Sequence, residues 1–152
     1  ATHQFMGVFD KNLVEPLVHV LANLGTKHAM VVHGQDGLDE LTTTTQSFVC
    51  EFKVGNFKTF EINPEDFGIK KADLSDLKGA DNASNAKITL EILKGSNGPK
   101  RDIVLLNAGC AIYVADKTKG IQEWIDLAKE SIDSGRAYEK LEGLLRFSKD
   151  NS

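Results

Sequence analysis

The residues most able to do chemistry lie between His33 and Glu40, in the segment HGQDGLDE. The adjacent carboxylates of Asp39 and Glu40 share a glycine-rich stretch, where a permissive backbone lets both turn toward one hydrated cation. Mg²⁺ suits such a sparse site because it keeps several waters and is commonly held by one or two carboxylates together with substrate phosphates. The same pattern is also typical of a solvated turn, so spacing alone leaves both interpretations open.

Four other features are weaker candidates. His33 could act as an acid or base, but a packed histidine at a strand end is favoured, since no Ser, Cys or Asp spacing indicates a triad. The Thr42–Thr45 run could offer hydroxyls to a phosphate, although β-branched residues in series favour a strand. The basic stretch Lys94–Arg101 lacks the ending of a phosphate loop and is interpreted as a connection between helices. Gly79–Asp81 could present a backbone N–H to an anion, but helix capping by Asp81 explains it equally well.

Composition predicts one globular domain across residues 1–152, since 41% of the residues are hydrophobic and the net charge is -4. No apolar run approaches the roughly 20 residues of a membrane-spanning helix, and no basic stripe with interleaved aromatics indicates nucleic-acid binding. Cys50 and Cys110 lie in apolar stretches without metal-ligand spacing, so we expect buried thiols and a reducing cytoplasm. The chain shows no signal peptide and starts without an initiator Met, so we expect a piece of something longer.

The elements that position the candidate loop form an α/β pattern. Phe5–Phe9 and Ala29–Val32 are typical of strands, the second of them buried. Between them, Asp10 can cap a helix that Gly25 ends. Strand, helix and strand joined by short connections predict a βαβ unit with parallel strands. In open α/β sheets ligands bind beyond the carboxyl ends of the strands, which is where the candidate loop lies.

The rest of the chain predicts a hairpin and then helices. Apolar and polar residues alternate with period two across Ser47–Ile62, with Gly55-Asn56 at the turn. The polar stretch Lys70–Lys78 is interpreted as a loop. Helical patterns then begin at Asp81, at Gly98-Pro99, at Thr118 and after Gly135. The second of these helices is apolar nearly all round, so we expect it to be the buried one.

Four segments in chain order carry a resemblance to a known family: Val31–Thr42, Pro64–Gly68, Asp102–Gly109, and Ile132–Gly135 with Lys140-Leu141. Together they resemble anthranilate phosphoribosyltransferase, the tryptophan-pathway enzyme. The resemblance implies the C-terminal part of a nucleoside phosphorylase or phosphoribosyltransferase-like α/β domain, without the N-terminal helical domain of a two-domain enzyme. The family's GTGGD phosphate loop, its KHGN segment and the arginine implicated in anthranilate binding have no counterpart here.

This resemblance implies an enzyme that transfers the phosphoribosyl group of phosphoribosyl pyrophosphate to the amine of anthranilate. Asp39 and Glu40 then help to hold a Mg²⁺ that bridges to the diphosphate, and no catalytic or substrate-binding residue is assigned within this chain. We expect the intact enzyme to be a cytoplasmic homodimer with no nucleic-acid or membrane partner, and the isolated chain to be inactive. The alternatives are a non-catalytic module of the same fold and a paralogue with a nucleoside or nucleic-acid ligand.

Overall fold

The computed structural model describes residues 1–117 and 121–151 and contains a four-stranded sheet. The strands are β1 (His3–Gly7), β2 (His28–Gly34), β3 (Ser47–Lys53) and β4 (Asn56–Ile62). They stand in chain order across the sheet, with β1 parallel to β2 and the other two pairs antiparallel. The predicted parallel strands and the predicted hairpin are therefore confirmed.

Helix α1 (Val14–Asn23) connects β1 to β2 and directly follows a 3-10 turn. Asp10 accepts a hydrogen bond from the backbone N–H of Asn12 at 2.9 Å and starts a 3-10 turn over Lys11–Leu13, which leads into α1. Gly25 follows the helix with a φ of +88°, a left-handed conformation that glycine adopts without steric cost. The predicted stop at Gly25 is confirmed, whereas Asp10 caps the 3-10 turn before the helix and not α1 itself.

Two local predictions need correction. The hairpin turns through Val54 and Gly55, which both have positive φ, so Asn56 already belongs to β4 instead of the turn. The stretch predicted as a loop contains a one-turn helix, α2 (Leu74–Leu77), where the Asp73 N–H is capped by a carboxylate three residues later. A four-residue helix is too short to show a helical period in the sequence.

Further helices follow α2: α3 (Asn82–Leu93), α4 (Pro99–Val114), α5 (Ile121–Asp133) and α6 (Arg136–Asp150). As predicted, α4 is the buried one, with apolar side chains in contact with the sheet. The helix start predicted at Thr118 lies outside the described residues. Among the helices of the described ranges, none is long and apolar enough to cross a membrane.

Strand β2 is covered on both faces of the sheet, and every one of its residues is buried. Met30 and Val32 belong to a core shared with α4 and α5, whereas Val31 belongs to a second core shared with α1. Cys110 lies in the first core and Cys50 in the second, which confirms the expectation of two buried thiols. A strand packed on both faces gives the loop at its carboxyl end a rigid support.

Candidate functional site

The candidate loop leaves the carboxyl end of β2 through a tight turn. The Gly34 N–H donates to the Leu38 carbonyl at 2.9 Å, and the Gly37 N–H donates to the Gly34 carbonyl at 2.8 Å. The chain then passes through Asp39 and Glu40 before it enters a buried stretch that leads to β3. The structure therefore places both predicted carboxylates at the sheet edge where α/β folds bind ligands.

The end of β1 packs against the same loop. A Cβ atom built on Gly7 would lie 1.7 Å from the carbonyl oxygen of Asp39, a distance that no side chain tolerates. Gly7 pairs with Val32 of the parallel neighbour, so the loop crosses over the ends of two adjacent strands. A glycine is required here because the loop backbone occupies the space of a side chain.

Asp36 holds the two halves of the loop together. Its carboxylate accepts hydrogen bonds from the hydroxyls of Thr42, at 2.6 Å, and Thr44, and from the Leu38 N–H at 3.2 Å. Burial opposes its ionisation, but these hydrogen bonds outweigh burial and lower the pKa of Asp36. The strand predicted for Thr42–Thr45 is wrong, because these hydroxyls fold the segment around Asp36, a residue to which the sequence assigned no role.

The residue after Glu40 is held by helix α4. The Leu41 N–H donates to Asn107 Oδ1 at 2.9 Å, and Asn107 Nδ2 donates to the Leu41 carbonyl at 2.8 Å. The Leu41 side chain is fully buried in the core that α4 shares with the sheet. The sequence pattern does not predict this contact, although a polar residue such as Asn107 within an apolar helix is a signal for it.

The two predicted carboxylates have no protein partner in the described part of the chain. Asp39 is exposed and Glu40 is half-buried, and neither takes part in a hydrogen bond or ion pair within residues 1–117 and 121–151. Burial raises the pKa of Glu40, and the negative charges of Asp39 and Asp36 raise it further. The loop therefore concentrates negative charge that nothing in the described chain neutralises.

The donor set fits a hydrated hard cation. In the described part of the chain, no group of three His, Cys, Asp or Glu side chains could hold a metal ion by itself. Two neighbouring carboxylates leave most of a coordination shell to water and to phosphate oxygens, which is the arrangement that Mg²⁺ favours and that Zn²⁺ does not. Asp39 and Glu40 are thus suited to a Mg²⁺ that a phosphorylated ligand completes.

The weaker candidate residues have structural roles in the described part of the chain. His33 is buried, with Nδ1 2.9 Å from the Val8 carbonyl oxygen, which supports the interpretation as a packed strand-end histidine. The Lys94–Arg101 segment connects α3 to α4, as predicted. Asp81 caps α3, and the nearby Ala80 N–H donates to a side chain of the same helix, so this amide is not free for an anion.

Comparison with known proteins gives consistent matches. A family model described as "Glycosyl transferase family, a/b domain" matches residues 1–138. Anthranilate phosphoribosyltransferase of Clostridium beijerinckii is 52% identical over 143 residues, which cover 94% of this chain and 42% of that protein. The resemblance found in the sequence is therefore confirmed, and the chain spans about two fifths of the length of this relative.

Solved structures give the same result for the fold. The crystal structure of anthranilate phosphoribosyltransferase from Thermus thermophilus is similar with a TM-score of 0.84 and 39% identity, over 93% of this chain and 41% of that one. The enzyme from Saccharomyces cerevisiae in complex with PRPP and Mg is similar with a TM-score of 0.82 and 29% identity, over 92% of this chain and 41% of that one. The predicted α/β class is confirmed.

Proposed function

The chain belongs to the glycosyl transferase family through its a/b domain, and we propose that it forms the C-terminal part of an anthranilate phosphoribosyltransferase. The intact enzyme transfers the phosphoribosyl group of phosphoribosyl pyrophosphate to the anthranilate amine in tryptophan biosynthesis. The products are N-(5-phosphoribosyl)anthranilate and pyrophosphate. The single observation that carries the proposal is the carboxylate pair, Asp39 and Glu40, left without partners in the described chain at the carboxyl edge of a sheet that matches this family.

In this proposal the bond between ribose C1 and a diphosphate oxygen breaks and its electron pair leaves with pyrophosphate. The amine nitrogen forms a bond to C1 and releases one proton. A Mg²⁺ bound there supplies positive charge that stabilises the departing pyrophosphate. Asp39 and Glu40 hold that charge at the edge of the sheet, and Asp36 and Asn107 fix the backbone on either side of them. The structure of the yeast relative in complex with PRPP and Mg supports these two ligands for the proposed reaction.

The remaining parts of the active site come from outside this chain. With a net charge of -4, the chain itself does not attract two anionic substrates. We propose that residues 1–152 are one α/β domain and that an N-terminal helical domain supplies the phosphate loop and the anthranilate-binding arginine. We also propose that the intact enzyme is a homodimer in the cytoplasm, with no nucleic-acid or membrane partner.

The test compares two acidic pairs in the intact enzyme. In the double variant Asp39→Asn/Glu40→Gln, we expect turnover to fall roughly 100-fold or more, because lost stabilisation of the leaving group raises the barrier by several kcal/mol. The half-saturating Mg²⁺ concentration at fixed phosphoribosyl pyrophosphate should rise. The matched control Glu65→Gln/Asp66→Asn removes the same charge from an exposed pair elsewhere and should leave both values unchanged. Unchanged turnover and Mg²⁺ dependence in the first variant would contradict the assignment.

A second experiment tests whether this chain is sufficient. Orientation of bound reactants contributes roughly 7–11 kcal/mol to catalysis, and one metal-binding corner does not provide it. We expect the purified 152-residue chain to form no phosphoribosylanthranilate from Mg²⁺ and both substrates, and to do so once the N-terminal part is added. Turnover by the chain alone would show that the required residues lie within it, and failure after complementation would favour a non-catalytic module.

A further inference from the structure

Asn107 is an unexpected residue for its position. It lies in the middle of α4, next to the fully buried Leu106, in a helix whose neighbouring turns supply apolar side chains to the core. Leucine has the higher helix propensity, and burial of an amide costs free energy unless its hydrogen-bonding groups are satisfied. An apolar residue would therefore suit the helix itself better, so the reason for an asparagine must lie in what it contacts.

The contacts of Asn107 fix one residue of the candidate loop. Its amide pairs with both the N–H and the carbonyl of Leu41, at 2.9 and 2.8 Å, as a neighbouring strand would. Its Nδ2 group also donates to the Ile103 carbonyl, one turn earlier in α4, at 2.9 Å. The third hydrogen bond fixes the Asn107 side chain to its own helix. Asn107 therefore ties the Leu41 backbone to the buried helix α4.

Leu41 directly follows Glu40, so the Leu41 N–H and the Glu40 carbonyl belong to the same planar peptide group. On the other side of Glu40, the Leu38 N–H is held by Asp36 at 3.2 Å. Since the Glu40 carboxylate has no partner in the described chain, the backbone on its two sides determines where it points. We propose that Asn107 is a positioning residue that holds the Glu40 carboxylate in place for the cation, an inference that rests on the proposed function.

The test measures cation binding and loop order in the intact enzyme. The probes are Mn²⁺ with inorganic pyrophosphate, followed by electron paramagnetic resonance, and hydrogen exchange of the Leu41 amide without metal. Asn107→Leu keeps the number and branching of the side-chain heavy atoms but removes all three hydrogen bonds. Asn107→Ala leaves room for a water and is the second variant in case the leucine variant does not fold.

Asn85 offers a matched control elsewhere in the chain. Its amide makes the same two-way contact with Ala80, with the Ala80 N–H 2.8 Å from Oδ1 and Nδ2 3.1 Å from the Ala80 carbonyl. Asn85→Leu removes the same kind of contact from a segment that does not include the carboxylate pair. Glu40→Gln is the reference variant for loss of the cation site.

We expect both Asn107 variants to bind Mn²⁺ about 10-fold more weakly, with faster exchange at Leu41, while Asn85→Leu binds like the wild type. The dissociation constant of the folded fraction does not depend on how much protein is folded, so a loss of stability alone would not change it. If Glu40→Gln loses Mn²⁺ binding but both Asn107 variants bind Mn²⁺ like the wild type, this inference is overturned and the proposed function stands. Weaker binding without faster Leu41 exchange would also overturn it. Wild-type binding in Glu40→Gln would overturn the proposed cation site and this inference together.

Discussion

The two ends of strand β2 differ in whether the carboxylates beside them have protein partners. At the amino end, the fully buried His28 lies with Nε2 2.8 Å from Glu51 and Nδ1 3.0 Å from Asp116. At the carboxyl end, Asp39 and Glu40 have no hydrogen-bond or ion-pair partner in the described residues. Carboxylates are thus neutralised at one end of the strand and left unneutralised at the other, although helix α4 contacts both ends.

The electrostatics of the amino end confirm that its carboxylates are stabilised. The Lys53 ammonium, 3.0 Å from Asp116, together with His28 and His3, lowers the pKa of Asp116 to about 2 against a small cost of burial. Burial opposes ionisation of Glu51, but hydrogen bonds from His28 and from the Tyr113 hydroxyl, at 2.7 Å, outweigh it and lower the pKa of Glu51. These groups strengthen the fold by being ionised in it.

The carboxyl end shows the reverse, since burial and negative neighbours raise the pKa of Glu40. A cationic side chain beside Glu40 would stabilise the fold, as Lys53 does beside Asp116. Perturbed groups without protein partners are typical of binding sites, where a ligand supplies the missing charge. The contrast separates carboxylates that stabilise the structure from carboxylates that remain available to a ligand.

The largest effect is expected at the amino end. His28→Leu should lower the free energy of unfolding by about 3 kcal/mol, because the partly buried Glu51 carboxylate loses the imidazole and keeps only the hydrogen bond from Tyr113 among those described above. Urea denaturation at neutral pH measures the change. His19→Leu is the control, since His19 is exposed and stacks on Phe57, with ring centroids 4.0 Å apart, and should cost less than about 0.5 kcal/mol. Equal losses in the two variants would mean that the pairing of His28 does not stabilise the protein.

A smaller effect is expected for Asp116 in acid. Its folded pKa is lowered, so its contribution is fully present above the unfolded value near 4 and is lost as the pH falls through about 2. The side chain is 47% exposed, so solvent screening limits this contribution to under about 1 kcal/mol. Asp116→Asn should be less stable than the wild type at pH 5, and most of this difference should disappear at pH 2, as measured by urea midpoints. A difference as large at pH 2 as at pH 5 would point to packing instead of charge.

The sequence predicted the helices and strands that are long enough to show a repeating apolar pattern. The βαβ unit, the hairpin from Ser47 to Ile62 and the buried helix at Pro99 all show an apolar pattern or a stop signal. It missed the helix Leu74–Leu77, which is too short for a period. It also misassigned the Thr42–Thr45 run, because side-chain hydrogen bonds to Asp36 within the same loop override the β preference of threonine.

The site was predictable only as far as its residue types were informative. Asp39 and Glu40 are proposed because adjacent carboxylates in a glycine-rich loop indicate a cation, and a family resemblance favours that interpretation. Asn107 contacts the loop across 66 residues of sequence, and His28 meets Asp116 across 88. No local pattern encodes such pairings, since they depend on how the helix packs on the sheet.

The smallest predicted effect provides the sharpest comparison of the two ends, because its sign should be opposite. The raised pKa of Glu40 means that the folded state binds the proton more tightly than the unfolded state. The free energy of unfolding therefore falls as the pH rises from the unfolded pKa, near 4.5, through the folded pKa. Glu40→Gln removes this penalty and should leave the protein equally stable or more stable at pH 7, by up to about 0.5 kcal/mol, with no gain at pH 4. Urea denaturation at both pH values, without divalent cations, measures the difference. A clear loss of stability at pH 7 would show that the Glu40 carboxylate supports the fold, as Asp116 does, and would remove the distinction between the two ends of the strand.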